Sequence, residues 1–319
     1  MKIVFIGPGY MSIPPKGWGA VESLVDDYRN ELIEMGHEAI VINTTDLILA
    51  AQITNGLNPD FVHIQYDDHI QMAYMLNCKN IGITSHYAYL ESSENWTKNY
   101  RNIFWWFVNS GVNLLCLSEG IQEMYRKAGV KNHRLHLTPN GVKSDLYEFH
   151  ESPKYPDRSI YLAKIDFRKR QHLFQGVENL YFAGPLADDR FDPKNERYLG
   201  EWPRSYLTKN LTNYASLVLL SDGEAHPLVC LEGMVAGLGL VLSKQATANL
   251  DTSLPFIEVV PEEIIQNEPE ELQKIIKKNR EISRIMRKDI RDYALSNFTW
   301  KKVINEHYIP TVSSIVKEG

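Results

Sequence analysis

Short apolar runs return along this chain, several ending in polar residues and most separated from the next by enough residues for a helix. They fall at residues 2–6, 39–43, 61–65, 81–84, 113–117 and 135–138, and again at 159–162, 180–183, 217–221, 238–243 and 256–260. Runs that are apolar throughout, rather than alternating, suit strands covered on both faces. Such strands are parallel, because their crossover helices lie on the two faces of the sheet. The first run, the helix-period stretch at residues 21–35 and the Gly36 that stops it form the opening of a βαβ unit. The predicted fold class is therefore α/β.

A chain of 319 residues exceeds what one hydrophobic core serves and fits two such domains. Pro139-Asn140-Gly141 breaks the alternation, and residues 151–159, rich in proline and charge, read as a linker. The predicted domains are residues 1–150 and 151–298, with a terminal helix at 299–319, following Phe298, that reaches back to the first domain. Two Rossmann-like domains would then face each other across a cleft. Ligands of open α/β sheets bind beyond the carboxyl ends of the strands, so functional motifs are expected just after strands.

Composition narrows the function. Apolar residues make up 44% and charged residues 23%, and no run of the length needed to cross a bilayer occurs. The first six residues read as a core strand, without the basic start and cleavage site of a signal peptide, which predicts a cytoplasmic protein. Cys78, Cys116 and Cys230 are few and scattered, as reduced thiols would be. A net charge of −6 argues against a nucleic-acid partner and leaves any anionic ligand to a local basic cluster.

The most informative segment runs from Ser221 to Gly237. A strand ends at Ser221, a loop carries Glu224 and His226, and a helix beginning near Pro227 carries Glu232. Proline suits a first helical turn, and the N–H groups of Leu228 and Val229 stay available to an anion or to hydroxyls. Two carboxylates beside a helix N-terminus suit a ligand that has both phosphate and sugar hydroxyls. A solvated loop glutamate and an ordinary helix glutamate are the bland alternative.

With its two glutamates eight positions apart and its frame of Leu228, Leu231, Met234 and Gly237, the segment resembles the group 1, glycogen-synthase-like family of retaining glycosyltransferases. The resemblance runs from Lys16 to the terminal helix, and implies the B-type glycosyltransferase fold and a nucleoside-diphosphate sugar as co-substrate. It also implies that Glu224 lies against the donor sugar, that Glu232 hydrogen-bonds the ribose, and that His226, Leu228 and Val229 line the donor site. Lys164 and Lys169, within the basic stretch Lys164-Ile165-Asp166-Phe167-Arg168-Lys169-Arg170, hold the positions of the family's phosphate-binding arginine and lysine. Ala163 and Arg170 stand where the family has glycines. Lysine lacks arginine's planar bidentate contact, so Lys164 departs from the pattern.

In the first half, residues 16–22 reproduce the family's glycine-rich turn, where Gly17 and Gly19 would let the backbone approach the donor. The alternative is a purely structural strand-to-helix turn. His86, just after a strand, matches the family's histidine beside the donor sugar, against the bland reading of a surface or satisfied core residue. The catalytic set implied is Glu224, His86 and Lys169. His63, Asp67, Asp68 and His69 could suggest metal ligands, but no inferred element brings them together and the resembling enzymes are metal-independent, so no metal and no other cofactor are expected. Residues 103–107, Ile-Phe-Trp-Trp-Phe, read as a buried helix, with peripheral membrane contact as the other reading. Acceptor and linkage stay open. Rivals are a sugar-nucleotide epimerase and a non-catalytic relative that binds nucleotide sugar or glycan without turnover.

Overall fold

A computed structural model describes residues 1–17 and 19–318. Trp18 and Gly319 lie outside the described residues. The chain forms two compact units, Met1–Gly141 with Trp300–Gly319, and Val142–Thr299.

The first domain holds β1 (Lys2–Ile6), α1 (Ala20–Glu34), β2 (Glu38–Ile42), α2 (Leu47–Leu57), β3 (Phe61–Ile64), β4 (Ile81–Ile83), α3 (Lys98–Asn109), β5 (Asn113–Cys116), α4 (Glu119–Lys127) and β6 (Leu135–Leu137). Its sheet has the order β2-β1-β3-β4-β5-β6, all parallel. The chain leaves β1 toward β2 and later returns to its other side as β3, so the switch point lies between β1 and β3. The loop from β1 to α1 is drawn close to the residues after β2. Gly9, at φ +85, has room for no side chain, because a Cβ would lie 2.4 Å from the backbone of Thr44 and Thr45.

The second domain holds β7 (Tyr155–Leu162), β8 (Leu180–Ala183), α5 (Arg204–Asn210), β9 (Tyr214–Leu219), α6 (Leu228–Val235), β10 (Gly239–Ser243), β11 (Ile257–Val260), α7 (Glu262–Asn267) and α8 (Pro269–Asn297). Its sheet runs β11-β10-β9-β7-β8, again parallel, with the switch point between β7 and β9. The final segments, α9 (Trp300–Val303), a π-helical turn (Ile304–Tyr308) and α10 (Ile309–Glu318), belong to the first domain. There Trp300, Ile304, Tyr308 and Val312 enter a core with Ile3, Phe5, Tyr28 and Phe61. Tyr308 stacks on His63 at 5.4 Å between ring centroids and donates or accepts a 3.1 Å hydrogen bond with its Nδ1.

The fold is the expected α/β class with two Rossmann-like domains, and two details differ from the reading of the sequence. The chain passes between the units at Gly141/Val142 rather than at 150/151, and most of the segment read as a linker lies in β7. Pro156 is accommodated because the pairing of β7 with β9 shifts register between Tyr155 and Ser159, an irregularity that spares a ladder hydrogen bond. Arg158 lies over the rings of Tyr155 and Tyr181, at 4.5 and 4.7 Å from their centroids. The second difference is α3. Ile103, Phe104 and Phe107 are buried as expected, but Trp105 and Trp106 are 48% and 45% exposed, because consecutive apolar residues cannot all face one side of a helix.

Candidate active site

The loops that follow β7 and β9 leave adjacent strands at their carboxyl ends, on either side of the second domain's switch point. One carries Lys169 and the other Glu224, and the two side chains meet in an ion pair. Arg168 Nη1 joins the same Glu224 oxygen at 2.9 Å and also donates to the carbonyl of Gly223 at 2.6 Å. The side chains of Lys169 and Glu224 are about nine-tenths buried. Burial alone would push the Glu224 carboxyl up, but Lys169 and then Arg168 outweigh it and hold the carboxyl below its usual range. Glu224 is therefore an acceptor at neutral pH, in a cluster whose two cations exceed its one negative charge.

The backbone fixes this pair. The Tyr161 hydroxyl, buried at the end of β7, donates to the carbonyl of Lys169 at 2.5 Å and accepts from the N–H of Leu220 at 2.9 Å. Arg170 adopts the left-handed conformation at φ 57, where the resembling family has a glycine. Its side chain is tied down, with Nε on the carbonyl of Leu220 at 2.8 Å and Nη1 on Glu262 at 2.5 Å. Of the four cations in this stretch, Arg170 is thus committed to structure. Lys164 is exposed, and its carbonyl accepts from Gln171 Nε2 at 2.9 Å.

Glu232 lies on α6, mostly buried, and its carboxylate pairs with Arg204 at the start of α5. Leu228 and Val229 are the first two residues of α6, so their N–H groups precede any helical partner. His226 is buried just before them, and burial lowers its pKa to about 4. Lys169, Glu224, His226, Leu228, Val229 and Glu232 thus belong to two loops and one helix at a single edge of one sheet.

Gly17, Gly19 and His86 belong to the first domain. Gly19 caps α1 in extended backbone, and a Cβ there would lie 3.0 Å from the Glu22 carboxylate, so the turn is closely packed. Gly17 is exposed. His86 follows β4 and its Nε2 meets Gln65 Oε1 at 2.8 Å, while Gln65 in turn contacts His63. Burial lowers the His86 pKa to about 4, which keeps its ring neutral at physiological pH. Nearby, Asp67 accepts from the Tyr100 hydroxyl at 3.3 Å, and burial raises its pKa to about 6. Among the described residues no group of three or more His, Cys, Asp or Glu side chains is arranged to hold a metal ion. No described helix is long and apolar enough to cross a membrane.

Two residues of the second-domain site were not singled out by sequence reasoning. Arg168 stands inside the basic stretch, but nothing in the stretch tells which cation reaches Glu224. Arg204 lies 28 positions before its partner. Its one local signal is a cation in the first turn of a helix, where the helix dipole disfavours positive charge.

The parallel sheets of six and five strands, each with a switch point, match the two-Rossmann-domain, B-type fold of the solved glycosyltransferase structures. Residues 45–146 match the family described as Glycosyltransferase Family 4. No curated protein sequence matches the chain. Among solved structures, sucrose-phosphate synthase from Thermosynechococcus elongatus is 12% identical, with a TM-score of 0.75 and full coverage of both chains. Anabaena HepE in complex with UDP and glucose is 14% identical, with a TM-score of 0.72, covering 98% of this chain and all of its own. The lipopolysaccharide outer core galactosyltransferase WaaB is 16% identical, with a TM-score of 0.68, covering 98% of this chain and 99% of its own.

Proposed function

We propose that this chain transfers a sugar from a nucleoside-diphosphate sugar to an acceptor hydroxyl, with retention of anomeric configuration and without a metal ion. The observation that carries the reading is the buried Lys169–Glu224 pair at the switch point of the second domain, with Glu232 eight positions further on α6. When the bond between the anomeric carbon and the phosphate oxygen breaks, negative charge collects on the departing diphosphate. Lys169, Lys164 and the first N–H groups of α6 are assigned to that charge, since preorganised donors commonly supply most of the rate enhancement in such sites. Glu224, held ionised, accepts from hydroxyls of the sugar, and Glu232 accepts from the ribose. His86, neutral, and the turn at Gly17 and Gly19 are the first domain's proposed contribution to the donor. Same-face attack by the acceptor is what the resemblance implies.

HepE has been solved with UDP and glucose and with UDP-glucose, so uracil is the first base to try. A thermal-shift panel of UDP, GDP and ADP identifies it, since a ligand at 100 times its Kd stabilises by about 2.7 kcal/mol. Incubation with the corresponding sugar nucleotides then tests the reaction. A transferase releases free nucleoside diphosphate. No release, with tight binding, would make the chain a binding protein, and a changed sugar still attached to the diphosphate would make it an epimerase. Turnover is expected to persist in EDTA, because the lysines and the first N–H groups of α6 take the place of a metal ion's positive charge. Loss in EDTA with recovery in magnesium or manganese would overturn the metal-free assignment.

A further inference from the structure

Arg204 occupies an unfavourable position for a cation, the first residue of α5, where the unpaired N–H groups of the helix already carry positive partial charge. Its neighbours hold it there. Trp202, almost fully buried, packs its ring against Tyr206 and Tyr214 at 5.2 and 5.9 Å between centroids, and Leu207 is buried one turn on. The guanidinium lies 5.6 Å from the centre of the Tyr147 ring and pairs with Glu232 Oε1. The pair is asymmetric: the Glu232 side chain is 9% exposed and that of Arg204 46%. A carboxylate on a mostly buried helix face is thus gripped from the solvent side by a cation whose backbone is anchored separately.

We propose that Arg204 is a positioning residue for the nucleoside, tying one oxygen of Glu232 so that the other is presented to the ribose hydroxyls. This rests on the assignment of Glu232 to the ribose given above. A carboxylate has about four lone-pair sites, so one charge-assisted bond leaves capacity for two hydroxyls. Fixing the side chain before the ligand arrives removes an ordering cost that would otherwise fall on binding. The role differs from that of a latch, in which ribose would have to displace Arg204 and its removal would tighten binding.

Calorimetric titration tests this with whichever of UDP, GDP or ADP the chain binds most tightly, beside the 2′,3′-dideoxy form of the same diphosphate. Arg204→Ala is expected to weaken the ribose form by roughly tenfold and to leave the dideoxy form unchanged, because the latter offers Glu232 no hydroxyls. Arg204→Lys should recover part of the loss. In a Glu232→Ala background, Arg204→Ala should have no further effect. Equal losses for both ligands would mean a general structural defect, and tighter binding by Arg204→Ala would mean a latch; either overturns the proposal. If Glu232→Ala is weak and Arg204→Ala binds as wild type, the positioning role alone falls. If Glu232→Ala itself binds as wild type, the ribose assignment falls and the positioning role with it.

Discussion

Glu224 sits between two cations, and that decides which substitution of it is informative. Glu224→Ala would leave Lys169 buried without its partner, and breaking a buried pair from one side destabilises by about 3 kcal/mol or more, so lost activity could mean lost fold. Glu224→Gln keeps the shape and an acceptor oxygen while removing the charge. It is expected to bind nucleoside diphosphate within about threefold of wild type while turnover of the sugar nucleotide falls roughly a hundredfold, because the contact strengthens as charge develops at the anomeric carbon. Calorimetry and diphosphate release measure the two effects, and parallel losses in both would remove Glu224 from the sugar. Glu224 and Glu232 could be picked out in the sequence because their spacing is set by one loop and one helix, and Lys169 because it lies in a basic stretch just after a strand. Arg204 could not, because its partner is chosen by the way α5 is placed against α6. Arg170 could be noticed as a replacement for glycine, but its left-handed backbone and its bond to Glu262 appear only in the folded domain.

At the scale of elements, the buried Arg287 helps to fasten α8 to the second domain. Arg287 donates to the carbonyls of His150 at 2.8 Å, Tyr214 at 3.0 Å, Thr212 at 2.7 Å and Ala236 at 3.1 Å, and to Thr212 Oγ1 at 2.9 Å. It is 2% exposed, and burial lowers its pKa to about 10, still far above neutrality. Arg287→Met would fill much of the same volume yet leave buried carbonyls unpaired, each costing about 1 kcal/mol or more. A loss of about 3 kcal/mol or more in the second domain is expected. Urea unfolding followed by a probe in each domain should show it, with the first domain's transition unmoved. The strands themselves were readable because apolar runs mark parallel strands directly. The start of β7 was not, because Pro156, Asp157 and Arg158 resemble a linker until the register shift and the two tyrosine rings that accommodate them are seen.

At the scale of the whole molecule, His63, His86 and His226 make stability depend on pH. Burial lowers His63 to about 3, with His86 nearby adding to it, and lowers His86 and His226 to about 4. Their folded values lie below the unfolded value near 6.5, so their stabilisation is complete above about pH 6.5 and is lost as pH falls toward the folded values. Asp67, raised by burial to about 6, works the other way, because the folded state holds a proton there that the unfolded chain releases. Near pH 5 the three histidines outweigh Asp67, so between them these four groups leave the unfolded chain holding more protons than the folded one, and stability falls as pH falls. Unfolding at pH 7, 6 and 5 should show this fall, and stability that is flat across the range would contradict it. His226→Gln should reduce the second domain's share and leave that of the first.

The terminal segments of the first domain also set an order of events during synthesis. The chain is made from its N-terminus, and domains fold as units while it emerges. The second domain, residues 142–299, is complete in sequence before Tyr308 and Val312 have left the ribosome, whereas the sheet made first still lacks the side chains that seal Phe5, Tyr28 and Phe61. The half that is translated first is therefore the half that can finish folding last, with an open apolar face in the interval. A released chain cut after residue 299 would carry one domain complete in sequence and one that a chaperone still has reason to hold.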